Sequence, residues 1–198
     1  MIRVVVIDDE EMIRSAIVAL LALEEDLEVV GEAGNGAEGL DVVRAGTPDV
    51  VLLDLEMPPT DGIEVATQVP APARSILMTR HARPGVLRRA MAAGIAGFVP
   101  KSSPVSALAQ VIREVAAGKR YVDSEVAAAA LDAEACPLTD RELDALRLTR
   151  RHASVAEIAA TLHLAEGTVR NYLSSAMAKT DTSSRHEAAA HAYEHGWI

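Results

Sequence analysis

Hydrophobic residues in the first 118 positions alternate between short continuous runs and stripes at helical spacing. The runs predict strands, and the stripes, which repeat every three or four residues, predict helices. The predicted strands lie at residues 2–7, 28–33, 49–54, 75–79 and 97–100. A helix is predicted after each strand. The first carries an apolar stripe of Ile13, Ile17, Leu20 and Leu21, and the last begins with Ser103 as its cap and Pro104 as its first residue.

Five alternating strand and helix units predict an α/β fold, with a parallel sheet covered by helices on both faces. The strands are apolar throughout, as expected when both faces of a sheet are buried. Pro100 has no amide donor, so the strand that contains it is predicted to be an edge strand. Functional residues of such sheets gather at the carboxyl ends of the strands.

From Leu138 onward the pattern is helical throughout. Thr139 and Glu142 form a capping-box sequence, and helices are predicted at about 155–162, 166–179 and 185–195. The short link at residues 163–165 predicts a helix-turn-helix. Its predicted core consists of Leu138, Leu143, Leu146, Ile158, Ala159, Leu162, Val169 and Leu173. We therefore expect one domain at residues 1–118, an alanine-rich acidic linker at 119–136, and a small all-α domain at 137–198.

The composition of the 198 residues is ordinary for a globular protein and allows two small domains. No apolar run reaches the roughly 18 residues of a membrane span. The acids at positions 8–11 argue against a secretory signal, and the single Cys136 excludes an internal disulfide or a cysteine-rich metal site. These features predict a cytoplasmic protein that does not associate with a membrane.

The net charge of −10 argues against nucleic acid as a partner of the whole chain. The charge is uneven, however, because residues 137–198 hold seven bases and eight acids. A nearly neutral last third leaves DNA binding open. Its attraction for DNA as a monomer is expected to be weak and dependent on salt.

The predicted strands end at an unusual set of side chains, namely Asp8, Asp9, Asp54, Thr79 and Lys101. Clustered carboxylates suit Mg²⁺, and a carboxylate such as that of Asp54 can attack a phosphoryl group. Lys101 and a metal ion would neutralise the transferring charge, and Thr79 would hydrogen-bond to the phosphoryl oxygens.

Two enzymatic alternatives come from the same residues. The stretch at 34–39 matches G-x-G-x-x-G between a strand and a helix, which is a dinucleotide-binding pattern. It follows the second strand, however, and its preceding turn is acidic. A phosphatase with Asp54 as nucleophile would need a second carboxylate two residues later, a role that Glu56 fits only loosely. We therefore expect that the chain is not an enzyme.

The sequences V-V-I-D-D-E, V-V-L-L-D-L-E-M-P-P-T-D-G, I-L-M-T and G-F-V-P-K resemble bacterial two-component response regulators of the NarL/FixJ class. The resemblance implies a flavodoxin-like (βα)5 receiver domain in which a histidine kinase phosphorylates Asp54. It further implies that Mg²⁺ is bound by Asp9, Asp54 and the main-chain carbonyl of Glu56, with Asp8 reaching the metal through water. Thr79 and Phe98 would be the switch pair.

Several positions depart from the usual receiver pattern. Arg80 follows Thr79 where a small residue is common, so access to the phosphoryl group is expected to be narrowed. Pro100 precedes Lys101, whereas many receivers have proline after the lysine. Glu56 and His81 occupy positions that often tune dephosphorylation in this family.

The sequences P-L-T-D-R-E-L-D-A-L, E-I-A-A-T-L-H-L and G-T-V-R-N-Y resemble the LuxR-type helix-turn-helix. By this resemblance Arg170, Asn171 and Ser174 face the major groove of DNA, and Thr168 and Lys179 lie near phosphates. His152 stands where the family usually has glycine with a positive φ, so either this turn differs in shape from the usual one or His152 adopts the left-handed geometry at some cost.

Together these observations predict a DNA-binding transcriptional response regulator, switched by phosphorylation of Asp54 by a sensor histidine kinase. A homodimer formed on phosphorylation would double the contacts to double-stranded DNA. The alternative is a receiver-controlled protein-interaction module whose terminal helices bind protein and not DNA.

Overall fold

The computed structural model describes residues 1–58, 60–80, 84–131 and 135–198. The chain divides into two compact units, the first formed mostly by residues before Ala129 and the second mostly by residues from Ala129 onward. In the described residues, no helix has both the length and the apolar character needed to cross a membrane.

The first unit is a six-stranded parallel sheet with helices packed against it. Its strands, in spatial order, are β2 (Leu27–Ala33), β1 (Ile2–Ile7), β3 (Val50–Asp54), β6 (Arg74–Thr79), β7 (Gly97–Pro100) and β8 (Tyr121–Val122). A separate antiparallel pair joins β4 (Glu56–Met57) to β5 (Thr60–Asp61). The helices along residues 1–131 are α1 (Glu11–Leu21), α2 (Gly36–Gly46), α3 (Gly62–Ala66), α4 (Pro84–Ala92), α5 (Val105–Ala116) and α6 (Ser124–Leu131).

The central strands are buried on both faces, as their continuous apolar runs predict. Every residue of β3 is buried, and β1 is buried from Val4 to Ile7. One face of the sheet packs against Ile17 and Leu21 of α1 and against Ile112 and Val115 of α5. The prediction of an α/β fold with a parallel sheet is therefore confirmed.

Three local predictions are wrong, in whole or in part. The strand that contains Pro100 is not the sheet edge along its whole length, because the short strand β8 pairs with Gly97 and Phe98. The helix predicted to begin at Pro104 begins instead at Val105, because Pro104 keeps an extended ψ of 143° and no side chain caps the helix. Leu20, placed on the buried stripe of α1, is 41% exposed.

The second unit is all-helical and contains α7 (Asp140–Arg150), α8 (Val155–Leu162), α9 (Glu166–Lys179) and α10 (Arg185–Glu194). Six of the eight predicted core residues are buried in its apolar cluster, together with Ala188, Ala192 and Trp197. The other two, Leu143 and Leu162, are partly buried and pack against this cluster. The capping box of Thr139 and Glu142 is present. His152 has a φ of 62°, so of the two alternatives for this turn the structure shows the left-handed residue.

The stretch at 119–136, predicted as a linker, contains regular structure in its described residues. Tyr121 and Val122 form β8, and residues 124–131 form α6. The acidic, alanine-rich composition that suggested a linker is also compatible with a short helix, since alanine favours helices.

Candidate functional site

Four sequence-predicted side chains meet at the carboxyl edge of the sheet. Asp8 follows β1, Asp54 ends β3, Thr79 ends β6 and Lys101 follows β7. These four strands are consecutive neighbours in the sheet, so their ends lie side by side. The Lys101 Nζ lies 2.8 Å from Asp8 Oδ2 and 3.0 Å from Asp54 Oδ2.

The Lys101 ammonium is enclosed by carboxylates, with only 6% of the side chain exposed. Burial alone would lower the pKa of Lys101, but its close contacts with the carboxylates of Asp8, Glu10 and Asp54 outweigh burial and raise that pKa. Burial raises the pKa of Asp54, and the hydrogen bond from Lys101 opposes this rise. The Lys101 cation therefore opposes the protonation of Asp54 that burial favours.

Glu10 and Arg80 also belong to the site. Arg80 was expected near it from the sequence, whereas Glu10 was not. Glu10 Oε1 accepts a hydrogen bond from Lys101 Nζ at 3.0 Å, and its other carboxylate oxygen contacts the Arg80 guanidinium. The hydrogen bond from Arg80, followed by that from Lys101, lowers the pKa of Glu10 to about 2. The signal available in the sequence was the position of Glu10, directly after the two aspartates.

The acidic residues offer a donor set that fits a hard divalent cation. Carboxylate oxygens of Asp8, Asp9, Glu10 and Asp54 lie within 4.8 Å of one another. Asp8 Oδ2 is fully enclosed and, among the described residues, accepts no hydrogen bond of good geometry, although the Lys101 ammonium is 2.8 Å away. An all-oxygen set with an enclosed carboxylate oxygen is suited to Mg²⁺.

Four further residues were assigned receiver roles from the sequence, namely Thr79, Phe98, Glu56 and His81. Thr79 and Phe98 are both fully buried on adjacent strands, where Thr79 pairs with Pro100 and Phe98 pairs with Leu77. The Glu56 amide donates to Asp54 Oδ1 at 3.3 Å, and the Glu56 side chain lies outside the group of carboxylates. His81 lies outside the described residues.

The glycine pattern at 34–39 is explained by packing. Asn35 caps α2 by accepting a hydrogen bond from the Glu38 amide. A Cβ atom on Gly39 would lie 2.4 Å from the Ile7 side chain, and one on Gly36 would lie 2.5 Å from that of Val65. Close helix packing therefore accounts for these glycines without a nucleotide.

The predicted DNA-binding residues lie on α9, outside its row of buried positions. Val169, Leu173 and Ala176 are buried, whereas Arg170, Asn171, Ser174 and Lys179 are exposed and Thr168 is half-buried. The Arg170 guanidinium lies 2.5 Å from a carboxylate oxygen of Glu166, one turn earlier on the same helix. The α9 surface therefore presents polar side chains of the types that read bases.

Lys179 has a partner on α7 that the sequence pattern does not indicate. Its Nζ lies 2.8 Å and 3.0 Å from the two carboxylate oxygens of Glu142, and Ser175 donates to the same carboxylate at 2.6 Å. Burial alone would raise the pKa of Glu142, but the bonds from Lys179, Ser175 and Thr139 lower it to about 2. This network, formed by Glu142, Ser175 and Lys179, joins α7 to α9.

Comparisons with known proteins match both parts of the chain. Residues 4–113 match the family described as response regulator receiver domain, and residues 136–192 match bacterial regulatory proteins of the luxR family. The transcriptional regulatory protein DesR of Bacillus subtilis (strain 168) is 40% identical over 199 residues, across 100% of both chains. The DNA-binding transcriptional activator DevR/DosR of Mycobacterium tuberculosis is 34% identical over 206 residues, which cover 98% of this chain and 95% of that protein.

A solved structure supports the same relationship over the full length. The crystal structure of the response regulator ChrA, from a heme-sensing two-component system, has 28% identity and a TM-score of 0.58. The match covers 100% of this chain and 98% of that chain. The acidic site lies in the first matched region, and α9 lies in the second.

Proposed function

Because the chain belongs to the response regulators that join a receiver domain to a LuxR-family DNA-binding domain, we propose that Asp54 accepts a phosphoryl group from a sensor histidine kinase. Phosphorylation then controls DNA binding by α9 and the transcription of target genes. The observation that carries this proposal is the buried Asp54 carboxylate, held 3.0 Å from the Lys101 ammonium and beside Asp8.

The transfer uses the chemistry of a carboxylate nucleophile. An oxygen of Asp54 forms a bond to phosphorus while the bond from phosphorus to the kinase histidine breaks. Lys101 favours the ionised form of Asp54 against the effect of burial and donates to the incoming phosphoryl oxygens. Asp9, Asp54 and the main-chain carbonyl of Glu56 would hold Mg²⁺, with Asp8 acting through water, and the ion would supply further positive charge for the phosphoryl oxygens.

The hydroxyl of Thr79 and the ring of Phe98 form the switch. The phosphoryl group adds negative charge beside Lys101, and Thr79 moves to hydrogen-bond to it. Phe98 responds by adjusting its packing in the space beside Thr79. Because Phe98 is already fully buried, this adjustment is a small repacking within the core of the first unit.

DNA is bound by the exposed face of α9 in a domain spanning residues 137–198, after a receiver domain at 1–118 and a linker at 119–136. Arg170, Asn171 and Ser174 contact base edges, and Thr168 lies near phosphates. Lys179 uses two of its three ammonium hydrogens on Glu142, which leaves one for a phosphate.

The active form is a homodimer that acts in the cytoplasm, where its kinase partner and the chromosome are available. Seven bases against eight acids in residues 137–198 give a monomer little attraction for DNA. Dimerisation of the phosphorylated receiver supplies a second α9 for a second half-site.

Incubation with acetyl phosphate and Mg²⁺, followed by intact-mass measurement, tests the phosphoryl acceptor. The chain is expected to gain one phosphoryl group, and Asp54→Asn is expected to gain none. Asp49→Asn, which changes the acid just before the same strand, is the matched control and should behave like the unaltered chain. Full uptake by Asp54→Asn would refute the assignment.

A further inference from the structure

Glu166 and Arg170 form an ion pair on the exposed side of α9. The Arg170 Nη2 lies 2.5 Å from Glu166 Oε2, and the two side chains are 62% and 48% exposed, respectively. Residues four positions apart lie on the same side of a helix, so Glu166, Arg170 and Ser174 form one exposed row along α9. The proposed function assigns base contacts to Arg170 and Ser174. Glu166 therefore lies at the start of the same DNA-facing row.

The pair leaves hydrogen-bonding capacity on both partners. Glu166 binds Arg170 through Oε2, and its Oε1 accepts no hydrogen bond from the residues that the structure describes. A guanidinium has five N–H donors, and a bidentate contact with guanine needs only two of those that Glu166 leaves free. The space beside the pair is open, because a Cβ atom on Gly167 would meet nothing within 4 Å apart from its own stretch of helix. A base edge can therefore approach both side chains.

A carboxylate in this row weakens the attraction between α9 and DNA. Residues 137–198 hold seven bases and eight acids, so an acid that faces the phosphates reduces an attraction that is already weak. The same carboxylate distinguishes between bases. In the major groove the cytosine edge presents an amino donor and no acceptor, whereas the adenine amino group stands next to the acceptor N7. A carboxylate oxygen therefore matches cytosine better than any other base.

We propose that Glu166 is a specificity-determining residue, whose free carboxylate oxygen accepts a hydrogen bond from the amino group of a cytosine next to the guanine that Arg170 reads. This inference rests on the proposed binding of DNA by α9. At a site with another base in that position, the carboxylate has no matching donor and still repels the phosphates. Glu166 thus lowers the affinity for wrong sequences, which raises discrimination more than affinity.

Affinities for single-position variants of one duplex test this assignment. The phosphorylated full-length chain selects its preferred duplex from a random-sequence library, and each position is then changed in turn at one fixed salt concentration. Arg170→Ala identifies the guanine position, because it loses the preference there. Glu166→Ala is expected to keep the guanine preference and to lose a cytosine preference of about five- to tenfold at a neighbouring position.

Two more variants separate a base contact from a change of charge. Glutamine pairs with adenine through two hydrogen bonds, so Glu166→Gln is expected to shift the preference at that position from cytosine towards adenine. Glu194→Ala removes an exposed carboxylate at the end of α10 and is the matched control. Its affinity for unrelated DNA is expected to rise through the loss of charge, but its base preferences should stay unchanged.

The position at which the preference changes decides the outcome. Loss of the cytosine preference beside an intact guanine preference in Glu166→Ala supports the proposal. A change confined to the guanine position would overturn it, because Glu166 would then only orient Arg170. Base preferences in Glu166→Ala that match those of Glu194→Ala would also overturn it, since charge alone would explain the effect. Absence of any sequence preference in the unaltered chain would instead overturn the proposed DNA binding by α9, and this proposal with it.

Discussion

Replacing Lys179 with methionine is expected to destabilise the second unit through the carboxylate of Glu142. The side chain of Glu142 is only 4% exposed, and both of its oxygens accept hydrogen bonds from the Lys179 ammonium. Methionine has a similar length but no charge. The substitution therefore leaves a buried carboxylate with Ser175 and the Thr139 amide as its partners.

The size of the expected loss in the free energy of unfolding depends on how deeply Glu142 and Lys179 are buried. Removing one member of a fully buried pair costs about 3–5 kcal/mol. Lowering the pKa of Glu142 from 4.5 to about 2 corresponds to about 3 kcal/mol, which Lys179 shares with the other donors. Because the Lys179 side chain is 35% exposed, water screens part of the interaction. We expect a loss of about 1–3 kcal/mol in the free energy of unfolding of this unit.

Trp197 makes the measurement selective. It is the single tryptophan of the chain, and it is 6% exposed within the apolar cluster of the second unit. Urea titration followed by tryptophan fluorescence therefore reports the unfolding of that unit, whereas a signal from the whole two-unit chain would mix two transitions.

Arg170→Met is the matched control for this experiment. It also removes a cation from α9, but the Arg170–Glu166 pair is exposed on both sides, so its loss should cost less than about 1 kcal/mol. Equal midpoints for Lys179→Met and Arg170→Met would refute the reasoning, because they would show that burial of Glu142 adds nothing to the pair.

Three further predictions follow from the two units. Arg170→Ala should weaken binding to the operator by about 1–3 kcal/mol more than binding to unrelated DNA, as measured by competition titration; equal losses on both would make Arg170 a phosphate contact. The stability reported by Trp197 should fall as the pH drops from about 4.5 towards 2, because the pKa of Glu142 is lower in the folded unit, and Glu142→Gln should reduce this dependence. Beryllofluoride with Mg²⁺ should convert the chain from monomer to dimer in light scattering, and a monomer that binds its operator tightly in both states would contradict the dimer hypothesis.

The receiver site was predictable because a parallel sheet brings the ends of neighbouring strands together. Asp8, Asp54, Thr79 and Lys101 each follow or end a strand with a clear apolar pattern, so their convergence needed only the topology. The DNA-facing side of α9 was predictable for a similar reason, since helical periodicity separates its buried residues from its exposed ones.

The structure adds what local patterns do not contain. The strand β8 has two residues, too few to show an alternation. The contact between Glu10 and Arg80 depends on side chains reaching between two strand ends, which spacing along the chain does not encode. The capping box already explained Glu142, so nothing in the sequence pointed to Lys179, 37 residues later, as a second partner of its carboxylate.

DNA binding measured with and without phosphorylation tests the central claim most directly. Fluorescence anisotropy of a labelled duplex from the chain's own promoter is recorded at one fixed salt concentration, since affinity for DNA depends on salt. Acetyl phosphate with Mg²⁺ should raise the affinity of the unaltered chain and leave that of Asp54→Asn unchanged. An equal rise in Asp54→Asn, or no binding by the unaltered chain in either state, would contradict a regulator whose DNA binding is controlled through Asp54.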